Sequence, residues 1–134
     1  MSAVVADTHA ILWYLKKDVR LSSTAFTVME AAARVGDPIY LSTISLVEVC
    51  YLIEKGKIPL SDWAVLTNSF SNGVKTAVEL VSFDHGIAVR LPHIPRATVP
   101  DMPDRIIAAT ALHLGVPLVS RDRKIQATSI QTIW

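Results

Sequence analysis

Four carboxylates stand out by their positions. Asp7 closes the apolar run Val4-Val5-Ala6, and Asp122 follows the run Leu118-Val119-Ser120. Asp104 opens the apolar stretch that begins at Ile106. Glu48 interrupts Leu46-Val47-Glu48-Val49-Cys50-Tyr51-Leu52, which is otherwise apolar. A carboxylate buried without a partner costs several kcal/mol, roughly, so Glu48 is expected to have a task. Four acids at ~4–6 Å spacing raise one another's pKa values unless a cation sits among them. Oxygen-only ligands suit a hard cation, Mg²⁺ or Mn²⁺, one or two ions. Such an ion with open positions binds phosphate oxygens and acidifies a water. The chemistry implied is metal-assisted phosphodiester hydrolysis, with Asp7, Glu48, Asp104 and Asp122 as the catalytic and metal-binding set.

Each acid also has an ordinary explanation. Asp104 favours a helix N-terminus, and Asp101 suits an N-cap in a capping box. Asp7 and Asp122 are acceptable loop acids, and Glu48 is compatible with a buried Arg partner. What favours a site is that all four fall at one edge of the expected architecture. Ser45, three residues before Glu48, faces the same way on a helix.

Elements to position these residues can be read from punctuation and period. Residues 3–6 form a short β-prone run, followed by helical spacing through Ile11, Leu12 and Leu15. Ser22 or Ser23 caps a second helix that turns Phe26, Met29 and Ala33 inward. Gly36-Asp37-Pro38 breaks it, and residues 39–42 read as a strand. A helix over 43–55 stops at Gly56. Another is expected over 60–72, a strand over 78–83 and a short helix over 84–91. After a loop with Pro92, Pro95 and Pro100 come a helix over 101–114 ending at Gly115, a strand over 117–120 and a last strand over 129–134. Strands alternating with helices imply parallel pairing and right-handed crossovers. Strands apolar on both sides imply helices on both faces of the sheet. Sites in such sheets form beyond the strands' carboxyl ends. Helices running antiparallel to the strands bring their own N-termini to that edge.

At 134 residues, the chain is expected to form one domain over 1–134. Its 51% hydrophobic and 19% charged residues exclude global disorder. A single Cys excludes an internal disulfide framework and suits a reducing, cytoplasmic setting. No signal peptide is expected, since Asp7 falls early and no basic region precedes it. The uncharged stretch 106–120 is shorter than the ~20 residues of a membrane span. Thirteen Lys and Arg against twelve Asp and Glu leave a net charge of +1, which excludes a strongly basic nucleic-acid coat.

The segments Val4-Val5-Ala6-Asp7-Thr8, Ser45-x-x-Glu48, Asp101-x-x-Asp104-Arg105 and Leu118-Val119-Ser120-Arg121-Asp122 together resemble the PIN-domain family. The nearest resemblance is to VapC-like toxin ribonucleases of type II toxin–antitoxin pairs, and it covers almost the whole chain. It implies a three-layer α/β/α sandwich with a parallel sheet of about five strands. It also implies Mg²⁺- or Mn²⁺-dependent endoribonuclease activity, an RNA substrate, a cognate antitoxin and a homodimer. The family's acid quartet falls on Asp7, Glu48, Asp104 and Asp122. Thr8 and Ser120 match small hydroxyl residues beside the first and last acids, and Asp101 matches an acid just before the third. Relatives often read Asp-Pro-x-Asp-Arg, whereas here Pro103 has moved by one, still within the helix's first turn where no N–H is needed.

Arg105, Arg121, Arg123 and Lys124 flank the acids, where they would hold or steer RNA phosphates or form salt bridges on a solvated loop. Lys55 and Lys57 read as complements to a helix dipole. His9, His85, His93 and His113 show no ligand spacing, although His9 adjoins Asp7. Trp13, Trp63 and Trp134 read mostly as core or interface. Trp13-Tyr14 and the 26–33 helix offer an apolar groove to a partner helix. Cys50 reads as a small buried hydrophobe. Two other readings compete with the nuclease. One is a receiver-like signalling domain, although no paired acids follow the first strand and no Lys ends a late one. The other is a PIN fold used only to bind RNA or protein.

Overall fold

Alternate residues of three short strands face two different cores. Val4, Ala6, Ile39, Leu41 and Val119 belong to one cluster of buried residues, and Val5 and Leu118 to the other. This is why these segments carry no polar face: each lies in a sheet covered on both sides. The structure, a computed structural model, describes residues 2–70 and 76–134.

Five strands, β1 (Val4–Ala6), β2 (Ile39–Ser42), β3 (Val78–Val81), β4 (Leu118–Val119) and β5 (Thr132–Ile133), pair in the order β3-β2-β1-β4-β5. All pairings are parallel, with Val5 opposite Tyr40 on one side and Leu118 on the other. The first core is packed by α1 (Thr8–Lys16), α2 (Ser23–Val35), α3 (Thr43–Glu54) and α4 (Ser61–Asn68), through Ile11, Met29, Val49 and Leu66. The second is packed by α5 (His85–Ala88), α6 (Met102–Leu114) and α7 (Arg123–Gln126), through Ile87, Ile107 and Ile125. The result is the expected three-layer α/β/α arrangement. Each fully buried Ile or Leu contributes about 1.5–3 kcal/mol, which offsets the cost of gathering acids at one edge.

Helix limits follow local chemistry. Ser22 and Ser42 accept from the backbone N–H groups of Ala25 and Ile44 and cap α2 and α3. Gly36 and Gly115 close α2 and α6 at φ of 79° and 68°. Lys17 closes α1 in the same left-handed conformation, at φ 54°, without being glycine.

Several expectations need correction. On α2 Met29 is buried as expected, but Ala25 and Ala32 flank it in the core, whereas Phe26 is 43% exposed and Ala33 only half-buried. Small residues let α2 approach the sheet, and Phe26 packs instead beside Tyr14, with ring centroids 6.1 Å apart. Helix α4 stops at Asn68 and β3 at Val81. Residues 71–72 of the expected 60–72 helix lie outside the described residues. A 3₁₀ turn, Leu91–His93, follows α5, and α7 lies in a stretch with no expected helix. Among the described residues no helix is long and apolar enough to cross a membrane.

Candidate active site

The acids arrive at one edge for three different reasons. Asp7 and Asp122 lie just beyond β1 and β4, on neighbouring parallel strands. Asp101 and Asp104 begin α6, and Glu48 lies in the second turn of α3. All five line one cavity of about 330 Å³, together with Thr8, His9, Trp13, Arg121 and Trp134.

Three of these acids also cap helices. An oxygen of Asp7 accepts from the Ala10 N–H at 2.8 Å, one of Asp101 from Asp104 at 3.2 Å, and one of Asp122 from Lys124 at 2.8 Å. The two readings of Asp101, cap and site acid, are therefore both realised. Each cap uses one carboxylate oxygen and fixes the direction of the other.

Glu48 is held differently. The Thr8 hydroxyl donates to its Oε1 at 2.5 Å, and the Thr8 oxygen lies 2.9 Å from the Ser45 hydroxyl. Thr8 has only one hydroxyl proton, so Ser45 supplies the proton of the second bond. Both hydroxyls are buried, so each needs this partner. Ser120, also buried, accepts the Asp122 N–H at 3.1 Å.

The electrostatics are those of crowded acids. Burial pushes the Asp7 carboxyl above the usual range; hydrogen bonding from Ser120 and Ala10 pulls the other way. Burial likewise raises Glu48, against the Thr8 bond, with Asp101 and Asp7 adding to the rise. Asp104 is pushed up to about 8, first by burial and then by Asp101, Glu48 and Asp122. Crowding thus favours proton uptake by the cluster, most strongly at Asp104. Carboxylate oxygens of Glu48, Asp101 and Asp104 lie within 4.8 Å of one another. That separation and an oxygen-only donor set suit one hard divalent cation, so the residues present fit such an ion.

The basic residues divide. Arg121 lines the cavity. Arg105 does not: its guanidinium donates to the carbonyls of Ile94 (3.0 Å) and Leu91 (2.9 Å), which ties the 3₁₀ turn to α6. Two of the five guanidinium N–H groups of Arg105 are thus used by backbone carbonyls, and the residue lies outside the cavity lining. Arg123 and Lys124 are exposed on α7, outside the cavity lining. His9, Trp13 and Trp134 line the same cavity, a role that the sequence reading did not give the tryptophans. An aromatic in an apolar context reads as core, and only the strand order brings the end of β5 beside Asp122.

With this geometry described, comparison with known proteins is direct. Residues 4–130 match the model of the PIN domain, and the chain belongs to that family. It is 29% identical over 127 residues to "Ribonuclease VapC22" of Mycobacterium tuberculosis (strain ATCC 25618 / H37Rv), covering 95% of this chain and 92% of that protein. The fold is similar to that in a structure of VapBC2 from Rickettsia felis bound to a promoter DNA fragment (TM-score 0.71, 17% identity, 97% and 96% of the two chains). It is also similar to that in DNA-bound VapBC from Salmonella typhimurium (TM-score 0.70, 21% identity, 98% and 97%). Family membership sets aside the receiver-like alternative.

Proposed function

We propose that the protein is a divalent-metal-dependent endoribonuclease and the toxin of a VapBC-type toxin–antitoxin pair. The observation that carries this reading is the convergence of five carboxylates, held by their own caps and by Thr8, on one cavity of a PIN-family chain. Its relative in M. tuberculosis bears the name of a ribonuclease, and its structural neighbours are VapBC complexes. Glu48, Asp101 and Asp104 would hold Mg²⁺ or Mn²⁺, with Asp7 and Asp122 completing the surroundings of one or two ions. When bound, such an ion neutralises charge on a phosphodiester and acidifies a water for in-line attack.

The chain's own residues supply the rest. Thr8 and Ser45 fix the rotamer of Glu48. Asp104 would bind a cation in its ionised form, its proton passing to solvent. Asp7 and Asp122 direct their uncapped oxygens at the same space. Arg121 adds positive charge to the lining of the same cavity.

The partners follow from the same reading: RNA as substrate, an antitoxin that covers the site, and a second copy of the chain. On α3 the apolar Val47 and Tyr51 are 49% and 58% exposed, and we assign the homodimer contact to this face. The setting is cytoplasmic. The decisive experiment is RNA cleavage with Mn²⁺ by wild type, Asp7→Asn and Glu48→Gln. Loss of cleavage in both variants is expected; activity equal to wild type would sink the assignment. Calorimetry with Mn²⁺ separates the non-catalytic alternative, which requires that the acids bind no metal.

A further inference from the structure

The cavity has two kinds of lining. One is carboxylate; the other is His9, Trp134 and Arg121, joined through their contacts with Trp13. Arg121 is exposed and adjoins Asp122, in a cavity lined by five acids, yet it forms no hydrogen bond or ion pair among the described residues. Its guanidinium carbon lies 4.6 Å from the centroid of the Trp13 ring instead. Arg20, the other arginine over Trp13 at 5.0 Å, is paired with Asp18, two of its N–H groups donating to the two carboxylate oxygens. Trp13 is buried and meets Trp134 edge-on at 5.9 Å and the exposed His9 at 5.5 Å. Trp134 is half-buried, directly after β5.

Cation–π contact with a buried indole restrains an otherwise long and mobile side chain. It keeps the guanidinium out of the acid cluster and leaves its donors and its outward surface available. A phosphate belongs among the acids, where cations compensate it. The group around Trp13 lines the same cavity and offers the uncharged part of a nucleotide an aromatic surface. Bases stack on aromatic rings and on Arg guanidinium planes with little regard to sequence.

We infer that Trp134, His9 and the Trp13-held guanidinium of Arg121 form a stacking platform for the base of one nucleotide flanking the scissile phosphate of single-stranded RNA. This rests on the ribonuclease reading and adds a positioning surface to it. Trp13 acts through Arg121, whereas Trp134, His9 and Arg121 touch the base.

The test reads binding without cleavage. A short, fluorescently labelled oligoribonucleotide is bound by anisotropy with Ca²⁺, a weaker Lewis acid, in place of Mn²⁺, alone and with an abasic residue moved through each position. In wild type, one abasic position is expected to weaken binding about tenfold, the low end of what one stacked base contributes. In Trp134→Ala and Arg121→Lys, that penalty should shrink to about twofold or less, since the partner of the base is gone. Arg121→Lys keeps the charge on an exposed residue, so it carries the test even if Trp134→Ala does not fold. Penalties equal at all positions, or a penalty unchanged in Arg121→Lys, would overturn the platform. So would weakening by Arg121→Lys that is the same for every abasic probe, since it assigns the residue to phosphate. Cleavage of unmodified RNA by wild type with Mn²⁺ decides the ribonuclease reading separately. A chain that cleaves RNA but shows no position-specific penalty loses only the platform.

Discussion

Thr8 stands between a buried hydroxyl and a carboxylate, and its single proton decides which one it serves. By donating to Glu48 it stabilises the ionised form that a cation needs. Thr8→Val keeps the shape and removes the proton. We expect Mn²⁺ affinity, read by calorimetry, to fall about 10- to 100-fold, the usual effect of losing an outer hydrogen bond; unchanged affinity would contradict this role. Asp104 predicts a pH response. Its folded pKa, about 8, lies above its ordinary 3.8, so folding favours the protonated acid. Its stabilising contribution is complete below the ordinary value and is lost as pH rises towards 8. Asp7 and Glu48 are raised too and act in the same sense. Metal-free protein should therefore lose thermal stability as pH rises from about 5 to 8, and saturating Mg²⁺ should flatten that curve. Asp104→Asn should be more stable than wild type in metal-free buffer near pH 8, by on the order of 1 kcal/mol, while losing cleavage. A metal-free melting temperature that rises with pH would refute both expectations.

Lys17 ends α1 in a conformation that costs a non-glycine residue about 1–2 kcal/mol. Lys17→Gly should accordingly raise the unfolding free energy by about 0.5 kcal/mol after the entropy cost of glycine, and the urea midpoint with it. A lower midpoint would mean that the Lys17 side chain does more than end a helix. The better-read elements are those with such punctuation. Gly36-Asp37-Pro38 and Gly115 bracket β2 and α6, and both were legible in the sequence within a residue. Helix α7 was not, because four residues are too few to show a period and its cap, Asp122, already read as a site acid. The error on α2 arose because Phe26 outweighs Ala25 by hydrophobicity, while close packing favours the smaller side chain. At the site, spacing could mark the acids but not their division of labour. Asp101 gives the same local signal as cap and as ligand. Trp134 gives no signal for the cavity, because only strand order carries it there.

On the scale of the whole molecule, a net charge of +1 conceals two opposite regions. Five acids share a cavity, and the bases lie around it and elsewhere. Cation binding would thus make the cavity face much less negative, and on the proposed ribonuclease reading RNA association should depend on metal before any bond is cut. The exposed apolar face of α3 predicts association of copies. Tyr51→Glu should convert a dimer to monomer in sedimentation while leaving the far-UV spectrum unchanged; a monomeric wild type would remove the basis for that assignment. The helix-capping acids have a consequence in genetics. Asn caps a helix about as well as Asp, and an Asp codon becomes an Asn codon by one transition. Selection against a harmful nuclease would thus find Asp7, Asp101 and Asp122 as cheap exits, each erasing charge while sparing the fold. Such alleles would not vanish as unfolded debris. They would persist as decoys, occupying antitoxin in a cell that still carries an active copy.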